Sequence, residues 1–372
     1  MEEIPIPDTV MNGINHLTVS TPGRICLFGE HQDYLHLPVI PAAISLRVTI
    51  EGIRRPGQSA RILLPDIDSE ETFSLTGLLP YKRERDYFRS AVNVLRRSGF
   101  TFTGGFDCVV HGNIPIRAGT SSSSALVVSW VNFLARMSDQ HLALSAGDCA
   151  RYAVETEVLE FQEPGGMMDQ YSTASGGVLY IDFHPEVKVE RIDAQLGTLV
   201  LGDSGEAKDT KQILARVKNR VHEIVNQLSK GRPDFALRTL TMDRLAQWND
   251  ALGREQSELL AGTVRNHMIT LEAKQLFTRQ PLDHRRIGSL LNEHQVLLRD
   301  VLNISTPKID SMLDAALGAG AYGGKINGSG GGGCMFAYAP EKPEIVAEAI
   351  ARSGGKAYVV SVDAGTRVDA AE

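Results

Sequence analysis

Residues 112–128 read GNIPIRAGTSSSSALVV, a stretch in which small residues and four consecutive serines precede an apolar run. Serine is a poor helix former, but at a helix start its hydroxyl accepts hydrogen bonds from the unpaired N–H groups of the first turn. The pattern therefore predicts a helix over 122–137 that begins at the serines. Gly119 and Ala118 let the backbone approach a ligand, and a helix start favours an anion such as phosphate. A polar turn whose serines only cap the helix is the alternative.

The apolar spacing of the remaining chain predicts strands and helices that change in character near residue 184. Strands are predicted at 16–21, 39–50, 106–110, 176–183, 197–203, 334–339 and 356–362. Helices are predicted at 85–98, 144–161, 209–229, 233–253, 256–276, 284–302, 307–318 and 342–353. The helix-rich second half indicates an α+β protein with two domains, 1–190 and 191–372, that share a cleft.

The composition is that of an ordinary globular protein: 372 residues, 42% hydrophobic and 22% charged, with a net charge of −7. The acidic balance does not favour a nucleic-acid partner. The four cysteines lack the spacing of zinc or disulfide frameworks, which favours a reducing compartment. The start, MEEIPIPDTV, lacks a signal-peptide pattern, and no apolar stretch reaches the length of a membrane span. We expect a cytoplasmic monomer or weak homodimer with neither a membrane nor a nucleic-acid partner.

Two glycine-rich motifs of nucleotide-binding proteins fit this sequence poorly. The Gly-Gly-Lys triplets at 323–325 and 354–356 are followed by Ile and Ala, so neither completes a Walker A motif. GSGGGG at 328–333 has the spacing of a dinucleotide-binding loop, but it precedes a strand instead of joining a first strand to a helix. The serine stretch is therefore the better candidate for a phosphate site.

Three stretches together resemble the three motifs of the GHMP kinases, a family named for galactokinase, homoserine kinase, mevalonate kinase and phosphomevalonate kinase. They are PGRICLFGEHQDY (22–34), IPIRAGTSSSSA (114–125) and KINGSGGGGCMF (325–336), in family order. The first resembles the galactokinase signature, and GGMMDQ (165–170) resembles a galactokinase Gly-Ile-Met-Asp-Gln segment. The resemblance implies a two-domain α+β fold with a ribosomal protein S5-like N-terminal domain, a ferredoxin-like C-terminal domain and an active site between them.

The resemblance also implies how the chain would bind ATP and Mg²⁺. The ATP phosphates would lie against Gly119, Ser121, Ser122, Ser123 and Ser124. The magnesium ion would be held by Ser123 and Glu157, whose oxygen atoms suit a hard cation. The glycines of 328–333 would close on the active site from the C-terminal domain.

On the acceptor side, the resemblance implies a general base, Asp169, and a cation near the reacting phosphoryl group, Arg24. One carboxylate in contact with a hydroxyl can take its proton as the new P–O bond forms, and a nearby cation keeps that carboxylate ionised. The sugar hydroxyls would be bound by Glu30, His31, Asp33, the Gly166 backbone and Asp169.

The expected activity is ATP- and Mg²⁺-dependent phosphorylation of the anomeric (C1) hydroxyl of a monosaccharide, with galactose first and L-arabinose or a uronic acid next. Arg117 stands where the family usually has glycine, and Thr120 replaces leucine. GDSGEAKDT (202–210) replaces a segment with a sugar-contacting tyrosine, and no tyrosine lies between Tyr180 and Tyr322. These departures keep two alternatives open: a different acceptor, such as a heptose phosphate or a mevalonate-like alcohol, or a catalytically silent sensor of sugar and ATP.

Overall fold

The computed structural model describes residues 15–230, 232, 235–249 and 251–371. Its strands, numbered along the chain, are β1 (His16–Phe28), β2 (Ile40–Arg55), β3 (Ser59–Leu64), β4 (Ser69–Ser74), β5 (Gly105–Gly112), β6 (Val178–Asp182), β7 (Lys188–Ile192), β8 (Leu199–Asp203), β9 (Gly323–Ile326), β10 (Cys334–Tyr338), β11 (Lys356–Val360) and β12 (Arg367–Ala371). Its α-helices are α1 (Tyr87–Arg97), α2 (Ser122–Met137), α3 (Ala146–Val154), α4 (Met168–Ser175), α5 (Thr210–Ser229), α6 (Ala246–Asn249), α7 (Arg254–Phe277), α8 (His284–Asp300), α9 (Pro307–Gly318) and α10 (Pro343–Arg352).

The first half of the chain forms a large mixed sheet. Its strands run in the order β12-β1-β2-β5-β3-β4, and β6 and β7 branch from β2. The pairs are antiparallel except for β3 with β5, which run parallel. Helix α2 packs on β1 and β2 with apolar residues on nearly every side, as a helix enclosed by other elements requires. The predicted helix over 122–137 therefore forms the centre of this half.

The second half contains a four-stranded antiparallel sheet in the order β11-β8-β10-β9. Helices α5 to α9 lie between β8 and β9 in the chain, and α10 lies between β10 and β11. This β-α-β-β-α-β succession is that of a ferredoxin-like domain enlarged by extra helices. The two sheets with their helices confirm the expected two-domain α+β fold.

The chain returns to the first sheet at its end. Strand β12 pairs with β1, and single bridges join Ile44 to Val362 and Gly176 to Ala364. Strand β7 spans the predicted boundary at 190 and pairs with β6 of the first sheet. The division into 1–190 and 191–372 stays a prediction, and the structure assigns residues 367–371 to the sheet of the first half.

The helix predicted over 233–253 is wrong. The described part of this segment has two 3₁₀ turns, Leu237–Thr239 and Met242–Arg244, and the short α6. Its buried side chains recur at intervals of five, five and three residues, so they do not follow one helix face; they are Phe235, Leu240, Leu245 and Trp248. The backbone of Thr241 is extended, which interrupts any helix there.

Strand β1 continues past the predicted end at residue 21 and into the first motif as far as Phe28. Pro22 and Gly23 look like loop residues in the sequence, but they lie where the register of β1 with β2 shifts, as at a β-bulge. Strands β3 and β4 were not predicted, although alternating burial marks both of them.

Across the described residues, no helix combines the length and apolar character that crossing a bilayer requires. The first ten residues, on which the signal-peptide expectation rests, lie outside the described ranges.

Candidate active site

The first turn of α2 carries the predicted phosphate-binding serines. Ser121 is the N-cap residue, with a left-handed backbone at φ 59°, and its Oγ is buried without a hydrogen-bond partner among the described residues. Ser122 is partly buried, Ser123 is exposed and Ser124 is buried. A buried hydroxyl without a partner is costly unless a ligand satisfies it, and the N–H groups of a helix start attract anions. The turn therefore has the chemistry of an anion site.

The loop before this turn depends on Gly119. Its φ is +88°, and a methyl group there would lie 2.6 Å from the carbonyl oxygen of Asn327 and 2.7 Å from Nζ of Lys208. Its carbonyl oxygen accepts hydrogen bonds from Nη1 of Arg24 (2.6 Å) and Nδ2 of Asn327 (2.8 Å). Only glycine suits both this backbone and this close approach. The loop is thereby fixed to β1 and to the second domain.

The glycine run 328–333 meets the same loop. A methyl group on Gly328 would lie 2.7 Å from the carbonyl oxygen of Gly119, and one on Gly333 would lie 2.6 Å from that of Ala118. The N–H of Cys334 donates to the carbonyl oxygen of Ala118 at 2.7 Å. The structure thus brings the second and third motifs into backbone contact.

Arg24 and Asp169 form an ion pair beside the loop. Arg24 donates from Nε (2.9 Å) and Nη2 (2.7 Å) to Oδ1 of Asp169. Arg24 is buried in β1, whereas the side chain of Asp169, in the first turn of α4, is 31% exposed. Burial lowers the pKa of Arg24, but the charges of Asp169 and Glu30 outweigh burial and raise it overall. The predicted base and cation are therefore in contact, and Oδ2 of the base is not engaged by Arg24.

Glu157 lies beside the serines, on a π-helical turn (Glu155–Leu159) that follows α3. Its Oε2 accepts a hydrogen bond from Nε2 of Gln170 at 2.7 Å. Burial raises the pKa of Glu157, and hydrogen bonds from Ser123, Ser124 and Gln170 oppose that rise. The two predicted magnesium ligands, Ser123 and Glu157, are therefore neighbours.

Within the described ranges, no group of three or more His, Cys, Asp or Glu side chains could hold a metal ion. Mg²⁺ needs fewer protein ligands, because it is commonly bound by one or two carboxylates together with substrate phosphates and water. The oxygens of Ser123 and Glu157 are a donor set of this kind. They fit a magnesium ion that arrives with a nucleotide.

Asp33 contacts the backbone at the start of α4, the helix that carries Asp169. Its carboxylate accepts hydrogen bonds from the backbone N–H groups of Tyr34 (2.9 Å) and Met168 (3.3 Å). Burial raises the pKa of Asp33 to about 6 and the charge of Asp169 adds to the rise, while the two N–H donors oppose it. A methyl group on Gly166 would lie 2.0 Å from Oδ2 of Asp33, so this approach requires glycine. The structure therefore brings Asp33, Gly166 and Asp169 together.

Glu30 forms a buried ion pair that joins the two domains. Its Oε2 accepts hydrogen bonds from Nζ of Lys325 (2.9 Å) and from the N–H of Gly328 (3.0 Å). Lys325 is fully buried and also donates to the carbonyl oxygens of Cys26 (2.9 Å) and Ile326 (2.8 Å). Lys325 has no predicted role, although it lies in the third motif.

His31 is also held by protein groups. Its Nε2 lies 3.1 Å from the carbonyl oxygen of Ser329, and its Nδ1 lies 2.7 Å from the hydroxyl of Tyr34. A carbonyl oxygen only accepts, so Nε2 carries the proton and Nδ1 accepts from Tyr34. Burial lowers the pKa of His31 to about 4, which keeps the ring neutral at neutral pH. The sugar contacts of His31 and Glu30 stay predictions.

Lys208, in the 202–210 segment, lies beside the predicted phosphate-binding loop but is not among the residues predicted from the sequence. Its Nζ is buried and has no hydrogen-bond partner among the described residues. Burial, together with the charge of Arg24, lowers the pKa of Lys208 to about 8, against the opposing charges of Cys334, Glu30 and Asp169. A single lysine in a polar loop carries no sequence pattern, and only the fold shows that its amine reaches Gly119.

Arg117 is exposed, with φ at 59°. This left-handed conformation is one that glycine adopts more readily than arginine, in keeping with the glycine expected there from the resemblance.

A helix start with an unsatisfied hydroxyl, next to a carboxylate paired with arginine, defines a site for an anion beside a proton acceptor. Models of the GHMP kinase N-terminal domain and C-terminal domain match residues 86–177 and 273–357. A model of the galactokinase galactose-binding signature matches residues 12–52. The chain belongs to the GHMP kinase family.

The relatives include proteins with two of the activities for which the family is named. The mevalonate kinase of Pyrococcus furiosus is 28% identical over 352 residues, covering 92% of this chain and 95% of the relative. The galactokinase of Lactococcus lactis, solved in complex with galactose, superposes with a TM-score of 0.84 at 20% identity over 95% of each chain. The mevalonate kinase of Methanococcus jannaschii gives 0.71 at 18% identity over 94% of this chain and 98% of that one. These superpositions confirm the fold.

Proposed function

We propose that this protein transfers the terminal phosphoryl group of ATP to the anomeric hydroxyl of a monosaccharide, with Asp169 as the general base. The observation that carries the proposal is the position of Arg24. It donates to the carboxylate of Asp169 and to the carbonyl oxygen of Gly119 in the loop before α2. One buried cation thus links the proposed base to the proposed phosphate site.

In the proposed reaction, the acceptor hydroxyl lies against Asp169 while the phosphates lie at the start of α2. As the hydroxyl oxygen bonds to the terminal phosphorus, its proton passes to Asp169. The bond from that phosphorus to the bridging oxygen breaks, and ADP leaves with the electron pair. Phosphoryl transfer depends mainly on positioning and charge neutralisation, for which Arg24 and the helix start are suited.

Ser123 and Glu157 would hold Mg²⁺, which when bound neutralises charge on the phosphate oxygens. The hydroxyl of Ser121, which is buried without a partner among the described residues, would donate a hydrogen bond to a phosphate oxygen in the same site.

Two findings support a sugar as the acceptor. The galactose-binding signature covers residues 12–52, which include Glu30, His31 and Asp33. The charge of Asp169 also acts on Asp33, whose carboxylate lies against the Gly166 backbone. Two carboxylates close together suit a ligand with several hydroxyl donors.

A mevalonate-like alcohol is the second candidate acceptor. The observation in its favour is the sequence similarity to the mevalonate kinases of Pyrococcus furiosus and Thermococcus onnurineus, which extends over more than nine-tenths of the chain. The 202–210 segment, which lacks a tyrosine, agrees with this alternative.

One screen separates the candidates. The protein is incubated with ATP and Mg²⁺ and, in turn, galactose, L-arabinose, galacturonate, a heptose phosphate and mevalonate, while ADP release is followed. Phosphorus NMR of the product then locates the new phosphate. We expect a free monosaccharide to be phosphorylated at C1. Turnover of mevalonate alone would select the second candidate, and binding of sugar and ATP without ADP release would indicate a silent sensor.

A further inference from the structure

Lys208 places a positive charge between the loop before α2 and the glycine run 328–333. A methyl group on Gly119 would lie 2.7 Å from its Nζ, and one on Gly333 would lie 3.1 Å from it. The amine is therefore wedged between the loop before α2 and the glycine run 328–333. No described residue hydrogen-bonds to it.

The segment that carries Lys208 is fixed to the second domain. Ser204 donates from its N–H (2.9 Å) and its Oγ (2.7 Å) to the carbonyl oxygen of Gly333. Glu206 accepts a hydrogen bond from the hydroxyl of Thr306 at 2.6 Å. The carboxylate of Asp209 caps α5 by accepting from the N–H of Gln212 at 2.9 Å. The position of the amine thus follows from an anchored loop.

Among the described residues, no carboxylate forms an ion pair with Lys208. Arg24 is paired with Asp169, and Glu30 is paired with Lys325. A buried ammonium without a partner is costly, so a protein keeps one where a ligand supplies the opposite charge. The adjacent start of α2 favours an anionic ligand for the same electrostatic reason.

We propose that Lys208 binds the terminal phosphate of the nucleoside triphosphate from the side opposite the start of α2. The proposal rests on the proposed function, because it takes the ligand to be ATP. The amine of Lys208 lies beside Gly119, whose carbonyl oxygen accepts a hydrogen bond from Arg24. Because Arg24 also pairs with Asp169, this position favours the phosphate that is transferred over the inner two. A lysine serves this purpose as a compact point charge with three donors.

A phosphate bound beside Lys208 also changes the protonation of its amine. The charged and titratable groups that act on the amine are Arg24 from β1, Glu30 from the turn after β1, Asp169 from α4 and Cys334 from β10, while Glu206 and Asp209 lie on its own segment. With a pKa of about 8, part of the amine is neutral at pH 8.5. A phosphate beside it favours the charged form, so binding takes up a proton and affinity falls as pH rises above 8.

The test is calorimetry of ADP and of a non-hydrolysable ATP analogue, each with Mg²⁺ and without an acceptor. It compares the wild type with Lys208→Met, Lys208→Arg and the control Lys211→Met, whose amine pairs with exposed Glu84 at 2.8 Å. We expect Lys208→Met to weaken analogue binding about 10-fold to 100-fold, as for a lost charge-assisted hydrogen bond, and to leave ADP binding within about threefold. Lys208→Arg should restore most of the affinity, and Lys211→Met should behave as the wild type.

Repeating the titrations at pH 8.5 in two buffers with different ionisation enthalpies measures the protons exchanged. The wild type should take up a fraction of a proton with the analogue, and Lys208→Met should take up less. Unchanged analogue affinity in Lys208→Met, or an equal loss for ADP and the analogue, would overturn the inference. If Lys208→Met does not fold, Lys208→Gln serves in its place. Nucleotide binding without turnover on any acceptor would refute the proposed function while leaving the inference intact.

Discussion

The two sides of the candidate site differ in how far their polar groups are already satisfied. On the donor face, which we define as Gly119, Ser121–Ser124 and Lys208, one hydroxyl and one ammonium are buried without partners in the described part of the chain. On the acceptor face, defined as Glu30, His31, Asp33 and Gly166, every carboxylate and the imidazole contact protein groups. The donor face therefore has polar groups left for the ligand that we propose, whereas most polar groups of the acceptor face already bind other parts of the protein.

This difference indicates that two side chains of the first motif, Glu30 and His31, have a structural role. Its Glu30 and His31 connect β1 and the following turn to Lys325, Gly328 and Ser329 of the second domain. Removing either side chain therefore breaks contacts between the domains, whatever its effect on acceptor binding. Asp33 and Asp169 remain as the carboxylates best suited to meet a substrate.

The largest effect is expected on kcat when Asp169, which belongs to neither face as defined, is changed. Asp169→Asn keeps the shape of the side chain and removes its capacity to take a proton, so kcat should fall about 10³-fold. Steady-state kinetics with the acceptor identified by the screen measures the loss, and calorimetry should find nucleotide affinity within about threefold of the wild type. Asp107→Asn, in a surface ion pair with Arg55, is the matched control. Near-normal kcat in Asp169→Asn would contradict the assignment of the base.

The next effect concerns the buried pair on the acceptor face. Glu30→Gln leaves the ammonium of fully buried Lys325 without a counter-charge, and breaking such a pair costs about 3–5 kcal/mol. Urea denaturation should show this loss in the free energy of unfolding. Combining Glu30→Gln with Lys325→Met should cost less than the sum of the single changes. A stable Glu30→Gln protein with only weakened acceptor binding would show that Glu30 serves the substrate and not the fold.

On the donor face, a substitution should weaken ligand binding and leave stability nearly unchanged. Ser121→Ala removes a hydroxyl that makes no hydrogen bond in the described structure, so the free energy of unfolding should change little. Binding of the ATP analogue should weaken about tenfold, because the hydroxyl is lost as a donor to a charged phosphate. Ser129→Ala, within α2, is a useful contrast, since its Oγ donates to Thr21 at 2.6 Å and its loss should lower stability but not nucleotide affinity. If Ser121→Ala lowers stability and leaves nucleotide affinity unchanged, Ser121 serves the fold and not the ligand, which contradicts the difference drawn between the two faces.

The smallest effect is a pH dependence of acceptor binding. Asp33 has a raised pKa of about 6, so it becomes protonated as pH falls through 6 and accepts hydrogen bonds from hydroxyl groups less well. KM for the acceptor should therefore rise below pH 6, by at most about tenfold per pH unit. In Asp33→Asn, KM should be higher at pH 7 and should vary less between pH 5 and 7. The same pH profile in both proteins would remove Asp33 from acceptor binding.

Much of the fold was predictable because the relevant signals are local. The serines before an apolar run fixed the start of α2, and helical spacing found most of the other helices. The segment 233–253 misled because it is rich in helix formers, while its buried residues follow no single face. The strand predicted at 16–21 ends too early. Strand β1 is buried on both faces beyond that point, which removes the alternation by which a strand is recognised.

The residues of the site were predictable only as members of motifs. The sequence pairs neither Arg24 with Asp169 nor Glu30 with Lys325, because these partners are 145 and 295 residues apart. Lys208 had no motif to mark it. Its importance follows from the tertiary approach of three segments, a feature that residue spacing along the chain does not encode.

The central claim is that the phosphates lie at the start of α2 and the acceptor hydroxyl lies beside Asp169. A crystal structure with the ATP analogue, Mg²⁺ and the acceptor tests it most directly. We predict the terminal phosphate within about 3 Å of Ser121 Oγ and the acceptor hydroxyl within about 3 Å of an Asp169 oxygen. Phosphates bound elsewhere, or an Asp169 that contacts no acceptor oxygen, would contradict the account.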